Sequence, residues 1–225
     1  MIKKTVKFFI NILPLSLQNK LKLMISNYYK KQEIKNWERK KWERNSKAVI
    51  PPHQIKALEI AHYQKIYNCN ILIETGTYQG DMVLAQKDNF EKIFSIELGV
   101  ELWQNAVKKF SPYKHIEILQ GDSGKVLNNL MPKINSKVIF WLDGHYSGGD
   151  TVKGEKECPI YEELDAIFSK SKIKHIILVD DARCFNGECD YPTIEALYQY
   201  VKSKGSSNYL LEVKDDIIRF TINDQ

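Results

Sequence analysis

From residue 70 onward the chain alternates short apolar runs with longer amphipathic segments, and this alternation limits its fold more than any other feature. Each apolar run has the length of one buried strand, and each amphipathic segment is long enough for a helix that covers a sheet. The alternation therefore predicts parallel strands joined by helices. The predicted strands are residues 70–74, 92–97, 115–120, 137–142 and 174–179, and the predicted helices are residues 80–88, 99–110, 123–131, 159–169 and 192–204.

The C-terminal end departs from this alternation. The runs YLLEV (209–213) and IIRFTI (217–222) are separated only by Lys214, Asp215 and Asp216, which predicts two strands joined by a tight turn. Because so short a turn cannot make a parallel crossover, one of these strands must be antiparallel. The predicted fold is α/β, a doubly wound, Rossmann-like, seven-stranded sheet with a C-terminal antiparallel hairpin. An all-parallel nicotinamide-binding sheet would not end in this way.

Charge divides the chain into an N-terminal arm, residues 1–47, and a body, residues 48–225. The arm holds 13 Lys or Arg against 3 Glu, whereas the body holds 20 basic against 25 acidic residues. The junction, residues 45–54, contains paired prolines, which are typical of a linker. A body of this length can bury one substantial core, so we expect one domain after a basic helical arm.

Apolar residues of the arm recur at roughly helical spacing beside lysines: Phe8, Phe9, Ile12, Leu13, Leu17, Leu21 and Met24. This pattern suits a helix that lies on an anionic membrane surface or on a partner, or a solvated basic helix packed on the body. No apolar run reaches the roughly 20 residues that would span a bilayer. The first residues imitate a signal peptide, but Lys7 and Asn11 interrupt the apolar region and no small-residue cleavage site follows.

The four cysteines, Cys69, Cys158, Cys184 and Cys189, are too few for a disulfide scaffold of this length. They indicate thiols in a reducing compartment. A zinc site made of Cys158, Cys184, Cys189 and His145 is the alternative to plain packed thiols.

The first strand ends in ETGTYQG, residues 74–80, which places Glu74, Gly76 and Gly80 at the turn into the first helix of the sheet. Gly76 allows close backbone approach, and Gly80 lets that helix start close to the sheet. The spacing matches neither a dinucleotide fingerprint nor a phosphate-binding loop. Because Glu74 would repel a pyrophosphate, the turn favours a cationic ligand.

The next two strands also end in polar residues. Glu97 lies about 20 residues after the glycines, where a carboxylate can accept both hydroxyls of a ribose. Asp122 and Ser123 follow the third strand, where Asp122 can receive an adenine amine and cap the next helix.

With these motifs in order, residues 70–222 resemble the class I S-adenosylmethionine-dependent methyltransferases. The matching motifs are ETGTYQG, SIEL (95–98), QGDS (120–123) and the terminal hairpin. The resemblance implies S-adenosylmethionine (SAM) as cofactor, with Glu74 near its methionine part, Glu97 on its ribose and Asp122 on its adenine. The predicted cofactor-binding residues are Glu74, Gly76, Thr77, Gly80, Glu97, Leu98, Asp122, Ser123 and Asp143.

Two further strands end in carboxylates, Asp143 after the fourth and Asp180 and Asp181 after the fifth. The fourth and fifth strands of a doubly wound sheet are neighbours, so the three carboxylates should meet and repel one another unless they are protonated or compensated. A hard divalent cation would compensate them and hold a substrate hydroxyl in line for reaction.

LDGH (142–145) and VDDA (179–182) resemble the metal-binding motifs of metal-dependent O-methyltransferases of the catechol and macrocin kinds. The resemblance implies Mg²⁺, or Mn²⁺, on Asp143, Asp180 and Asp181. Macrocin-like enzymes have an acid at the position of His145, so the predicted base here, His145, departs from their pattern. A histidine can nevertheless take a hydroxyl proton near neutral pH. The alternative is that the acids cap loops and His145 only bonds to the backbone.

The polar, glycine-rich segment 146–159 after His145 is a candidate lid, and Tyr146 and Arg183 are candidate acceptor contacts or plain surface residues. The predicted activity is methyl transfer to a hydroxyl of a sugar, nucleotide sugar or related polar metabolite in surface glycan biosynthesis. The predicted location is the cytoplasm, peripheral at the inner face of the membrane through residues 1–47. Oligomeric state is left open.

Three other functions compete with this prediction. The first is a metal-independent N- or phosphate-group methyltransferase, and the second is a non-catalytic binding module of the same fold attached to a membrane complex. A nucleic-acid methyltransferase is disfavoured because no Asn-Pro-Pro-Tyr-like run follows the fourth strand and the body is acidic.

Overall fold

The computed structural model describes residue 17 and residues 37–45, 50–144, 156–170, 173–205 and 208–222. The chain divides into two compact units, Met1–Ala48 and Val49–Gln225. In the first unit, residues 37–44 form a helix, and the apolar stripe predicted for residues 8–24 lies outside the described residues except for Leu17. None of the described helices is long and apolar enough to cross a membrane.

The second unit contains six α-helices and seven strands in its described residues. The helices are α1 (His53–Tyr67), α2 (Asp81–Gln86), α3 (Val100–Phe110), α4 (Ser123–Leu130), α5 (Ile160–Lys170) and α6 (Ile194–Lys204). The strands are β1 (Ile71–Thr75), β2 (Lys92–Glu97), β3 (Ile116–Gln120), β4 (Val138–Leu142), β5 (Ile176–Val179), β6 (Tyr209–Lys214) and β7 (Ile217–Ile222). Short 3₁₀ turns follow α4, at Met131–Lys133, and β5, at Ala182–Cys184.

All seven strands form one sheet in the order β3-β2-β1-β4-β5-β7-β6. Strands β1 to β5 are parallel, and β7 runs antiparallel to both β5 and β6. The turn between β6 and β7 consists of Asp215 and Asp216, both with positive φ, as a two-residue hairpin turn of type I′ requires. The predicted doubly wound sheet with a C-terminal antiparallel hairpin is confirmed.

Each face of the sheet is covered by three helices. Ile60 of α1, Val83 of α2 and Phe110 of α3 pack on one face, and the apolar residues of α4, α5 and α6 pack on the other. The central strands are apolar on both faces because both faces are covered, as in β4, where all five residues are buried. The core therefore fixes the carboxyl ends of these strands rigidly, and the polar residues that follow them share one edge.

Candidate active site

The strand order reverses between β1 and β4, which are neighbours in the middle of the sheet. In sheets of this kind, ligands bind beyond the carboxyl ends of the strands at such a reversal. Glu74, Glu97, Asp143 and Asp180 lie at or just after the carboxyl ends of β1, β2, β4 and β5. The structure thus brings the predicted acidic residues to one edge of the sheet.

The turn after β1 passes very close to the end of β4. Gly76 has a φ of +80°, and a Cβ atom built on it would lie 2.2 Å from the carbonyl oxygen of Asp143. Its backbone N–H donates to the carbonyl of Ile96 at 2.9 Å, which holds the turn across the end of β2 as well. The predicted close backbone approach at Gly76 is therefore present, and the neighbour is Asp143.

Gly80 precedes α2 and also has a positive φ, +71°. A Cβ atom there would lie 2.6 Å from the ring of Phe110 in α3. Gly80 therefore makes room for a side chain of the neighbouring helix, which packs in the same cluster as Met82 and Val83. The prediction that Gly80 lets its helix start close to the sheet stays a prediction.

Glu74 is buried at the end of β1 and accepts a hydrogen bond from the hydroxyl of Ser95. The hydroxyl of Ser95 also forms a hydrogen bond with the hydroxyl of Thr77 at 2.6 Å, which connects the turn after β1 to β2. Burial raises the pKa of Glu74 to about 8, Ser95 opposes this rise, and the charge of Glu97 adds to it. A cationic ligand beside Glu74 would favour its ionised form.

Trp141 lies beside Glu74 in the register of β1 and β4, on the opposite side from Ser95. The indole is fully buried, and its Nε1 has no hydrogen-bond partner among the described residues. A buried N–H without a partner carries a desolvation cost, so a polar atom supplied by a ligand would be favoured there.

Glu97 is buried at the end of β2, and each of its carboxylate oxygens accepts one backbone N–H. Tyr78 donates to Oε2 at 2.7 Å and Gly99 donates to Oε1 at 2.8 Å. A carboxylate has about four acceptor sites, so each oxygen can still accept from a hydroxyl. The two backbone bonds fix the carboxylate in the orientation in which a ribose diol could bind it.

The third predicted contact lies after β3. Asp122 caps α4 by accepting the N–H of Lys125 at 3.0 Å, so the predicted capping role is confirmed. Asp122, Ser123 and Leu98 are all half-buried, and the carbonyl of Leu98 accepts from Gln120 at 3.0 Å. Their predicted contacts with an adenine remain predictions.

The acidic ends of β4 and β5 do meet, and a lysine lies among them. The ammonium of Lys56, in α1, lies 2.6 Å and 2.7 Å from the two carboxylate oxygens of Asp180 and 3.1 Å from Oδ1 of Asp181. Burial raises the pKa of Asp143 well above its ordinary value, the charges of Asp180 and Asp181 raise it further, and Lys56 opposes this. Burial alone would lower the pKa of Lys56, but the three carboxylates raise it, so the ammonium stays charged.

A second cation contacts one of these carboxylates, Asp181. Arg183 donates to Oδ1 of Asp181 at 2.7 Å and also pairs with Asp216 in the turn of the hairpin. Its backbone N–H donates to Asp216 at 2.9 Å. Arg183, which the sequence suggested as an acceptor contact, is therefore engaged with Asp181 and Asp216 in this structure.

The predicted Mg²⁺ or Mn²⁺ site on Asp143, Asp180 and Asp181 is not supported by the geometry. Carboxylates are suitable ligands, but Lys56 occupies both oxygens of Asp180. Among the residues that the structure describes, no group of three or more His, Cys, Asp or Glu side chains is arranged to hold a metal. The donor set as it stands does not fit a divalent cation.

Two sequence predictions fall outside the described residues. His145, the predicted base, and Tyr146 with most of the candidate lid lie in residues 145–155.

The cysteines of the alternative zinc site are free thiols: Cys158 is buried, Cys184 is half-buried and Cys189 is exposed.

Four further residues at this edge were not predicted from the sequence. These are Lys56, Ser95, Trp141 and Glu163. Glu163 of α5 is buried against the residue after Asp143, since a Cβ atom built on Gly144 would lie 2.9 Å from its Oε1. The signal that could have revealed Glu163 is its spacing, since it lies three residues after Ile160 and four before Ile167, among the apolar positions of the helix.

Comparison with known proteins identifies the fold. No family model matches the sequence, and no curated protein matches it significantly. The methyltransferase PaMTH1 of Podospora anserina, solved with S-adenosylhomocysteine (SAH), is 15% identical with a TM-score of 0.53, over 95% of this chain and 99% of that chain. The O-methyltransferase TomG of Streptomyces achromogenes, solved with SAM, is 10% identical with a TM-score of 0.55, over 84% and 89%.

A third similar structure is an O-methyltransferase of Bacillus cereus, solved with SAH. It is 12% identical with a TM-score of 0.52, over 80% of this chain and 87% of that chain. At these identities the comparisons show that this chain has the Rossmann-like fold of SAM-dependent methyltransferases.

The position of Glu97 leads to a prediction about ligand binding. We expect Glu97→Ala to weaken the binding of SAH by about 1.5–3 kcal/mol, because hydrogen bonds to a charged group are lost. Calorimetry on the folded variant measures this change. Glu117→Ala, which removes an exposed carboxylate from neighbouring β3, is the control and should leave the affinity unchanged. An unchanged affinity in folded Glu97→Ala would remove Glu97 from the site.

Proposed function

We propose that this protein is a SAM-dependent methyltransferase that transfers the methyl group to a hydroxyl oxygen. The observation that carries the proposal is Glu97, a buried carboxylate that two backbone N–H groups hold at the end of β2, beside the Gly76 turn and the strand-order reversal. The similar structures bound to SAM or SAH support the same cofactor.

The residues at the sheet edge fit such a cofactor in three respects. Glu97 has acceptor sites left for a diol, and Trp141 offers an N–H that lacks a partner among the described residues. Glu74 provides a buried carboxyl group for the cationic end of the ligand. SAM, when bound, supplies an electrophilic methyl group on a sulfonium.

For the acceptor we propose a sugar or another polar metabolite with a free hydroxyl, in surface glycan biosynthesis. The support is the charged end of the crevice, which is formed by Asp143, Asp180, Asp181, Lys56 and Arg183. Carboxylate oxygens that already accept one bond have further acceptor sites for hydroxyl groups. His145 remains the predicted base for the hydroxyl proton.

We also propose that the arm contacts an anionic membrane surface or a partner and keeps the enzyme in the cytoplasm at the inner face of the membrane. The support is the basic character of residues 1–47, which contain 13 Lys or Arg and only 3 Glu. In the described helix 37–44, Trp37 is exposed, and the ammonium of Lys41 lies over its ring, 5.0 Å from the ring centroid. An exposed tryptophan beside basic residues is typical of interfacial helices.

The two alternatives differ in what they require of the acidic residues. In an N- or phosphate-group methyltransferase the acids would be structural, which the ion pairs with Lys56 and Arg183 favour. A binding module would keep the affinity for SAH and lack transfer. Metal dependence, which the resemblance to catechol-type enzymes implies, would need Lys56 to leave Asp180 first.

Incubation with methyl-labelled SAM and a panel of nucleotide sugars, with Mg²⁺ or with excess chelator, tests the proposal. We expect label in an oxygen-linked methyl group of one acceptor. Transfer only to nitrogen or phosphate groups would favour the first alternative, and SAH binding without transfer to any acceptor class would favour the binding module. If the protein binds neither SAM nor SAH, the proposal is wrong.

A further inference from the structure

The fold holds the ammonium of Lys56 at the acidic edge of the sheet. Helix α1 is anchored by Glu59, which accepts from buried Arg219 of β7 at 3.0 Å, and by the carbonyl of Ala57, which accepts from Gln86 at 2.7 Å. Lys56 and Glu59 are three residues apart and therefore share a face of α1. The side chain of Lys56 is only 12% exposed, so it is packed at the edge of the sheet and is not a mobile surface lysine.

The bonds of Lys56 engage the oxygens that a divalent cation would need. Both oxygens of Asp180 and one oxygen of Asp181 lie within 3.1 Å of its ammonium, and Arg183 shares the same oxygen of Asp181. Two of these contacts are hydrogen bonds, to Oδ2 of Asp180 and to Oδ1 of Asp181, and the third is a close ion-pair contact with Oδ1 of Asp180. A metal at this position would have to break these bonds and lie beside a like charge.

We propose that Lys56 is the built-in counter-cation of the acidic edge, which excludes divalent metals and makes methyl transfer independent of them. Lys56 is a positioning residue, because it fixes Asp180 and Asp181 through its contacts. The part of this inference that concerns methyl transfer rests on the proposed function, whereas exclusion of metal concerns the protein alone. Removal of the ammonium should release both oxygens of Asp180 and leave Arg183 as the remaining cation on Asp181, so that Asp180 and its neighbouring carboxyl groups can take up a hard divalent cation.

The test is a titration of the full-length protein with Mn²⁺ alone. The electron paramagnetic resonance signal of the free ion measures how much Mn²⁺ remains unbound. We expect wild type to leave Mn²⁺ free at equal concentrations of protein and metal. Lys56→Met should bind one Mn²⁺ per chain, at least about tenfold more tightly than wild type. In the double variant Lys56→Met/Asp180→Asn this binding should be lost.

Two variants serve as controls. Lys65→Met removes an exposed ammonium from the same helix and should behave as wild type. Lys56→Arg keeps the positive charge and should also leave Mn²⁺ free. Circular dichroism and SAH affinity verify that each variant is folded.

The inference is overturned if wild type binds one Mn²⁺ through Asp180, or if folded Lys56→Met binds none. If Lys56→Met does not fold, Lys56→Gln is used in its place. The titration of wild type is informative in either case, because stoichiometric binding of Mn²⁺ overturns the inference and the absence of binding supports it. Methyl transfer that requires Mg²⁺ would overturn the inference and leave the proposed function intact. Failure of wild type to bind SAH would overturn the proposed function and leave the Mn²⁺ result valid.

Discussion

Replacing Gly76 by alanine should lower the free energy of unfolding by about 2–5 kcal/mol and remove most of the affinity for SAH. A left-handed backbone costs a non-glycine residue about 1–2 kcal/mol, and forcing extra atoms into a packed site costs about 1–3 kcal/mol. Both costs apply here, because Gly76 has a φ of +80° and its Cβ would lie 2.2 Å from the carbonyl oxygen of Asp143. The neighbour is backbone, so relief requires the turn to move away from β4.

Gly187→Ala is a matched control for this variant. Gly187 has a similar φ, +90°, but its Cβ would meet only the side-chain methyl of Thr193, at 3.0 Å. It lies after the 3₁₀ turn Ala182–Cys184, away from the Gly76 turn in the chain, so it reports the backbone cost with a milder contact. Urea unfolding and SAH calorimetry compare the two variants. Equal stability and equal affinity in both would contradict the role given to the Gly76 turn.

The central strands of the sheet could be predicted from the sequence because helices cover both of their faces. The predicted strand at residues 137–142 is observed as Val138–Leu142, and the predicted strand at residues 92–97 is observed as Lys92–Glu97. A strand that packs on both faces is mostly apolar, which makes it recognisable as a nearly continuous apolar run. The antiparallel hairpin was equally predictable, since two residues cannot connect parallel strands.

Helix α1, His53–Tyr67, was not predicted. Only Ile60 and Tyr63 of this helix are buried, and paired prolines stand just before it, so no clear apolar stripe marks it. Polar contacts hold it instead, among them the pair of Glu59 with Arg219, 160 residues away in the sequence. Helices held by distant polar partners give little periodic signal.

The same reason explains what was missed at the site. The acidic strand ends were predictable because the carboxyl ends of neighbouring parallel strands must share an edge. Their compensation was not, because Lys56 lies 124 residues from Asp180 and belongs to the helix that the sequence did not reveal. Repulsion among carboxylates indicates that some cation is needed but does not specify whether it is a metal or an ammonium.

His175 should make the protein less stable in mild acid, through a mechanism that does not involve the active site. It immediately precedes β5, at the end of the strand opposite Asp180, and is fully buried. Its Nδ1 accepts the backbone N–H of Val138 at 3.2 Å, which requires that nitrogen to be unprotonated. Burial lowers the pKa of His175 to about 4, and the charge of Lys137 lowers it further.

The sign of the effect follows from the direction of this shift. Between pH 6.5 and about 4 the unfolded chain binds a proton at His175 and the folded chain does not, so acid favours unfolding. The pKa difference corresponds to about 3 kcal/mol, which is lost as the pH falls through this window. Glu74 acts in the opposite direction, because its raised pKa, about 8, makes the folded state gain stability as the pH falls from 8 toward 4.5.

A comparison of wild type with His175→Gln isolates the histidine, because the contribution of Glu74 is common to both proteins. Urea unfolding at pH 7 and at pH 4.5 gives the loss of stability for each. The variant is expected to be less stable at pH 7, since it disturbs a packed site where the ring of His175 lies edge-on to Phe140 at 5.4 Å. Its loss between the two pH values should nevertheless be about 2–3 kcal/mol smaller than that of wild type. Equal losses in the two proteins would mean that His175 titrates normally in the folded state, which its burial and its bond from Val138 do not allow.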